Sequence, residues 1–403
     1  METTRRQFMQ TGIGAATLMA SGWTLPGFLG RTAMAAEPGD DNRILIVVQM
    51  TGGNDGLNMV IPYRDDRYHR ARPTIGIAES EALPLSEDLA LHPQMTALKR
   101  LFDDQRLQVV SNVGYPNPNR SHFRSMDIWQ TASTHPEHAT TGWIGRVVDR
   151  GGHTEHPLAM NIDDGPLPLA MRSADQTVPS IRSVDAFRLD QRAQAIREAI
   201  AQKRKSPPDD LLFVQRLAVT SCASAERLSS VTQGDDRAIR YPDLPLARHL
   251  HDVATLIRAG FGARVYYTSI GGFDTHANQN LTHGQLLGQL SESLAAFLDD
   301  LKAAGLDDRV LMMTFSEFGR RVKENGSRGT DHGAAAPMFI AGSPCRAGIV
   351  GHAPALGSLE DGDVRHEIDF RRVYAELLEH WLGVPQEPVL GARYEPLGIV
   401  RRS

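Results

Sequence analysis

Apolar positions along this chain follow two rhythms. Short apolar runs at residues 44–50, 107–113, 158–162, 265–270 and 310–315 are too short for helices, and they predict strands with both faces covered. Between them, apolar residues recur every three or four positions, which predicts amphipathic helices. One such series is Met95, Leu98, Leu101 and Phe102, and another is Leu246, Leu250, Val253 and Ile257. Leu286, Leu290, Leu294, Phe297 and Leu301 mark a long third helix. Phe370, Val373, Tyr374, Leu377, Leu378 and Trp381 mark the last. Phe339 and Ile340 suggest one further strand. The alternation of strand, loop and helix predicts an α/β fold with a largely parallel central sheet and helices on both faces. Polar breaks at 203–210 and 233–245 bound charge-rich helical patterns, so residues 170–245 read as a helical insertion in a single domain spanning 42–400.

The N-terminus has a different character. Thr4-Arg5-Arg6-Gln7-Phe8-Met9 is a twin-arginine pattern. A weakly apolar run follows, and Ala33-Met34-Ala35 has small residues at cleavage spacing. Residues 1–35 therefore read as a Tat signal peptide. The expected partner is the Tat export machinery and the expected location is periplasmic or secreted, with no stable membrane anchor after processing. Removing Arg5, Arg6, Arg31 and Glu2 takes away a net +2 and lowers the formal charge from −5 to −7. An acidic mature chain argues against nucleic acid as a partner. Cys222 and Cys345 are the only cysteines, and neither belongs to a C-x-x-C metal pattern.

Three predicted strands end in loops that gather carboxylates and imidazoles. Gly52-Gly53-Asn54-Asp55-Gly56 follows the first. Gly271-Gly272-Phe273-Asp274-Thr275-His276 follows the strand at 265–270. Ser316-Glu317-Phe318-Gly319-Arg320 follows the strand at 310–315, with Gly329-Thr330-Asp331-His332-Gly333 just beyond. Ligands of open α/β sheets bind outside the carboxyl ends of strands. Asp55, Asp274, His276, Asp331 and His332 are therefore candidate metal ligands. Carboxylate with imidazole suits Zn, and a carboxylate-heavy set leans towards Mn, Mg or Ca. Two neighbouring ions could clamp the attacking and leaving oxygens of an in-line transfer. Glu317 is either a further ligand or the group that orients a ligand histidine. Arg320 and Arg321 could hold substrate oxygens.

A fourth loop leads to Ser121-His122-Phe123, where helical spacing of Met126 and Trp129 begins. Ser121 is placed as an N-cap. A hydroxyl there, beside His122 and Arg120, could attack phosphorus or sulfur, with the helix N-terminus favouring an anionic substrate. Ser121, His122 and Arg320 are the candidate catalytic residues. Each of these features also has a structural reading: a cap for Ser121, a glycine-rich turn for Asp55, surface ion pairs for the arginines.

The ordered set GGNDGLN, SHF, FDTH, SEFGR and TDHG behind a Tat leader resembles a large bacterial family of exported proteins, domain of unknown function 1501. That family is described as sulfatase-like and grouped with the alkaline phosphatase superfamily. The resemblance covers about residues 42–400. It implies a metal-dependent hydrolase of phosphate or sulfate esters acting on a small anionic ester, with Ser121 or a metal-generated hydroxide attacking. Pro116 stands where formylglycine sulfatases have Cys or Ser, so their chemistry is not expected. His352 and His366 are candidates for the superfamily's last histidine. The alternative is a non-catalytic periplasmic binding or assembly protein retaining the fold.

Overall fold

A computed structural model describes residues 42–151, 157–184 and 239–401. The expected Tat segment, residues 185–238 of the expected insertion, and Cys222 lie outside the described residues.

In chain order the strands are β1 (Ile44–Met50), β2 (Val60–Ile61), β3 (Leu83–Pro84), β4 (Ala90–Leu91), β5 (Leu107–Gly114), β6 (Ala159–Ile162), β7 (Ser180–Ile181), β8 (Val265–Ile270), β9 (Val310–Ser316), β10 (Ala336–Ala341), β11 (Gly348–Val350) and β12 (Ile368–Asp369). Among the described residues, nine strands form one sheet in the order β11-β5-β10-β9-β1-β8-β6-β7, with β12 also on β5. Every pairing in it is parallel except those of β10, which runs antiparallel to both β5 and β9. Strands β2, β4 and β3 form a small separate antiparallel sheet.

β1 is buried along its whole length because both sheet faces are covered. Ile44, Ile46, Val48 and Met50 face a core shared with the helices Thr96–Asp103, Pro245–Arg258 and Gln279–Ala303. Leu45 and Val47 face the opposite core, shared with His122–Thr131, Trp143–Arg150 and Phe370–Glu376. The continuous apolar run is thus two alternating stripes, one for each face. Burying one such side chain is worth about 1.5–3 kcal/mol.

Two local features depart from the sequence reading. The helix expected from Phe370 to Trp381 is α-helical only over Phe370–Glu376 and continues as a π-helix over Leu377–Leu382, with a short helix, Glu387–Leu390, after it. Residues 169–184 contain a short 3-10 turn, Leu169–Met171, and the edge strand β7. Among the described residues no helix is long and apolar enough to cross a membrane.

The topology decides where the site can form. In β1 Gln49 and Met50 pair with Ser269 and Ile270 on one side and with Phe315 and Ser316 on the other. The three strands therefore end level, and their loops start from one rim. β5, parallel to β9 through the antiparallel β10, ends at the same rim. β10 enters from that rim, bringing the 329–333 loop with it.

Candidate metal centre

The rim loops are stitched together by backbone hydrogen bonds. Phe273 N donates to Thr51 O (3.2 Å), Thr330 N to Thr275 O (3.3 Å), Arg321 N to Asp331 O (2.9 Å) and Gly333 N to Gly319 O (2.8 Å). Two glycines make this approach possible. A Cβ on Gly52, whose φ is +120°, would sit 2.5 Å from Asp274 N. A Cβ on Gly329 would sit 2.2 Å from the His276 carbonyl carbon.

His122, Asp274 and His332 converge at this rim, each offering a ligand atom within 4.8 Å of the others. Asp274 Oδ1 lies 3.4 Å from His122 Nε2, 3.3 Å from His332 Nε2 and 2.9 Å from His276 Nε2. His276 Nε2 is also 2.9 Å from His332 Nε2, so it borders the group from one side. Four donors bound to one ion at about 2.0–2.1 Å in a tetrahedron stand roughly 3.3 Å apart.

The other nitrogen of each ring is taken by an oxygen that can only accept. His122 Nδ1 meets Glu317 Oε1 at 2.9 Å, and His332 Nδ1 meets the Arg120 carbonyl at 2.7 Å. His276 Nδ1 faces Asp331 Oδ1 at 3.4 Å. In a neutral ring such a contact keeps the proton on Nδ1 and leaves Nε2 as the acceptor facing Asp274 Oδ1; His276 Nε2 also accepts from Arg320 Nη1 at 3.4 Å. Lone pairs facing one another need a cation between them. His122 Nε2 is buried without a hydrogen-bond partner. A donor set of imidazole nitrogens and one carboxylate fits a single divalent ion.

Electrostatics point the same way. Burial, with the nearby Arg320 charge, pushes the His332 pKa down and keeps the ring neutral. For Asp274, burial acts upward but the Arg320 hydrogen bond and charge outweigh it and hold the carboxyl at about 2. The centre thus presents an anionic oxygen and a neutral imidazole near neutral pH.

Supporting side chains hold the rings. Phe318 packs against both His122 and His332, with ring centroids 4.9 and 4.8 Å apart. Ser125 Oγ donates to the Glu317 carbonyl and ties the helix His122–Thr131 to the β9 loop. Asn325 Nδ2 donates to Asp331 Oδ1 (3.1 Å), which steadies the group facing His276. Phe318 stood inside a noticed motif. Ser125 and Asn325 carried no signal in the sequence.

Several expected roles change. His122, expected as a catalytic group, stands among the ligand-type side chains. Glu317 is fully buried and accepts from Gly52 N (2.9 Å) as well as His122, so it orients a histidine. Asp331 is exposed and faces His276 Nδ1 rather than the cluster. Arg320 is buried; its donors go to the Gly52, Gly53, Phe273 and Thr330 carbonyls, to Asp274 Oδ1 (2.6 Å) and to His276 Nε2 (3.4 Å), which leaves it no face for substrate. Asp55 does not join the cluster. It is sealed in the interior, where Arg72 grips both carboxylate oxygens at 2.6 and 2.9 Å. His352 is tied to Glu367 at 2.7 Å, and neither it nor His366 belongs to the cluster. Ser121 caps the helix position with extended backbone, but its side chain makes no cap hydrogen bond and it is exposed. Cys345 is buried with a free thiol, its pKa pushed up to about 12 by burial.

Several solved structures resemble the chain in outline. The PsFucS1 sulfatase from Pseudoalteromonas sp. is 10% identical with a TM-score of 0.42, over 98% of this chain and 77% of that one. The C-terminal periplasmic domain of EcEptC from Escherichia coli, in complex with Zn, is 12% identical with a TM-score of 0.37, over 76% and 74%. The lipoteichoic acid synthase LtaP from Listeria monocytogenes is 9% identical with a TM-score of 0.33, over 96% and 79%. No curated protein sequence matches the chain. Residues 170–388, more than half of the chain, match the family described as "Protein of unknown function (DUF1501)", and the protein belongs to that family.

Proposed function

We propose that this protein is an exported, metal-dependent hydrolase of phosphate or sulfate esters, a single α/β domain over residues 42–400 that follows a cleaved Tat leader. One observation carries the reading: three imidazoles, each with Nδ1 facing an oxygen acceptor, turn their Nε2 atoms towards Asp274 Oδ1, and that of His122 has no hydrogen-bond partner. His122, Asp274 and His332 would hold a divalent ion, with His276 beside them, and the imidazole-rich set favours Zn. When bound, the ion supplies charge that holds the anionic head and polarises its oxygens.

The chain's own residues do the rest. Glu317, the Arg120 carbonyl and Asp331 hold the rings in the ligating tautomer. Arg320 locks Asp274 and the surrounding carbonyls. The exposed Ser121 hydroxyl, not spent on capping, stands at the N-terminus of a ten-residue helix, where free N–H groups favour an anion. Its Oγ attacks the phosphorus or sulfur and the ester bond breaks. The hydroxyl proton leaves with the alcohol, and water then frees the inorganic anion.

The test is direct. Mature protein, stripped by chelation and reloaded with Zn or Mn, is assayed on aryl phosphate and aryl sulfate esters beside Ser121→Ala and His332→Ala. Turnover that returns with metal and is lost in both variants is expected. Metal-loaded protein inert to both ester classes would favour a non-catalytic binding or assembly role.

A further inference from the structure

The fate of Asp55 bears on how many ions the rim can take. We infer that the centre takes one cation, because the guanidinium of Arg72 permanently occupies the place where a second cation would neutralise Asp55. This rests on the metal centre proposed above and specifies it. A carboxylate cut off from water needs a positive partner, either a metal ion or a basic side chain. Asp55 and Arg72 have side chains with 0% exposure, and their oxygens and nitrogens meet in a paired, two-bond contact.

Arg72 has no donor to spare. Nε donates to Val322 O (2.9 Å). Nη1 donates to Asp55 Oδ2 (2.6 Å) and Asn58 Oδ1 (2.6 Å). Nη2 donates to Asp55 Oδ1 (2.9 Å) and Arg321 O (2.9 Å). That accounts for all five guanidinium N–H groups. Gln279 Nε2 donates to Asp55 Oδ2 as well, so both carboxylate oxygens are engaged. Tyr68 lies 5.8 Å from the guanidinium and hydrogen-bonds Asn58 Oδ1 at 2.8 Å, which fixes the acceptor that fixes Arg72. An ion entering here would have to break all five of these guanidinium hydrogen bonds.

The consequence is chemical. A two-ion clamp needs cations about 3.5–4 Å apart, sharing ligands such as a central carboxylate. With Asp55 held by Arg72, that clamp is closed to this chain. One ion at His122, Asp274 and His332 carries the exchangeable charge, while Arg72 supplies a fixed charge that never touches substrate. Arg72 is a positioning residue: it ties the β1 loop to the backbone of residues 321–322 beyond β9.

Metal content separates the outcomes. Mature chain is loaded with excess Zn, desalted and analysed for metal per chain, with a calorimetric Zn titration alongside. Arg72→Ala alone risks unfolding, so the companion variant is Asp55→Asn with Arg72→Met, which removes both charges together. One equivalent is expected for the wild type and for this double variant, and none for His332→Ala. Two equivalents in the wild type, falling to one in the double variant, would overturn the single-ion assignment while leaving the metal-centre reading intact. No bound metal in the wild type would overturn that reading and this inference with it.

Discussion

Two loops of this protein begin alike and end differently. Gly52-Gly53-Asn54-Asp55 and Gly271-Gly272-Phe273-Asp274 have the same Gly-Gly-x-Asp pattern, and each follows a parallel strand that ends at the same level of the sheet. Yet Asp55 is fully enclosed and spent on Arg72, whereas the Asp274 side chain is 49% exposed and faces three imidazoles. The difference comes from what each carboxylate meets across the rim. Burial compels Asp55 to take a permanent partner; burial acts upward on its pKa, but the charge and hydrogen bond of Arg72, with smaller help from His283 and Gln279, hold it below the ordinary value. Asp274 keeps a face open to solvent and can share its charge with something that comes and goes. A strand-end aspartate is thus structural or functional according to its neighbours, and the local motif does not distinguish the two.

The largest effect should come from breaking the sealed half. Arg72→Ala leaves the Asp55 carboxylate buried without a counter-charge and should lower stability by about 3–5 kcal/mol, read from denaturant midpoints. Asp274→Asn, at a half-open site, should change the stability of metal-free protein by less than about 1 kcal/mol. Equal losses in the two variants would erase the contrast.

Ligand linkage should separate the halves in the opposite sense. Zn at about 100 times its Kd should stabilise the wild type by roughly 2.7 kcal/mol. His332→Ala should abolish that gain, and the Asp55→Asn/Arg72→Met double variant should keep it; thermal unfolding with and without Zn reads both. A smaller effect is expected one bond further out. Glu317→Gln weakens the acceptor that holds His122 Nδ1–H and should cost about 10–100-fold in Zn affinity, measured by competition with a chelator.

The sealed half also has its own pH signature. His283 Nε2 donates to Asn54 Oδ1 (2.9 Å), and His92 stands beside it with ring centroids 6.2 Å apart. Burial pushes both pKa values down to about 4. The unfolded chain takes up protons near pH 6.5 that the native state refuses. The stability these rings allow is complete above that pH and lost as pH falls towards 4. The slope is at most about 1.4 kcal/mol per pH unit for each histidine. His283→Gln should flatten it between pH 6.5 and 4, and an unchanged slope would contradict the assignment.

Much of the scaffold was legible from residue pattern. Ile44 to Val48 had to be a central strand because its apolar run leaves no face for water, and β8 and β9 follow the same logic. β10 was half hidden: Pro337 interrupts its strand signal, and only Phe339 and Ile340 stood out. Its antiparallel direction follows from the chain turning straight back from the 329–333 loop, which no periodicity records. At the site, residue types were readable but partners were not. Glu317 could be a ligand or an orienter until its distance to His122 Nδ1 was known. Arg72 gave no warning, because an arginine at the C-terminal cap of a six-residue helix looks like a surface one until the fold closes over it. Arg320 misled for the same reason, since its donors serve backbone carbonyls from loops far apart in sequence.

The most direct measurement is an anomalous difference map from crystals soaked in Zn, collected on both sides of the Zn absorption edge. The account predicts one peak among His122 Nε2, Asp274 Oδ1 and His332 Nε2, and none at Asp55. A peak at Asp55, or no peak at the histidine cluster in fully soaked crystals, would contradict it.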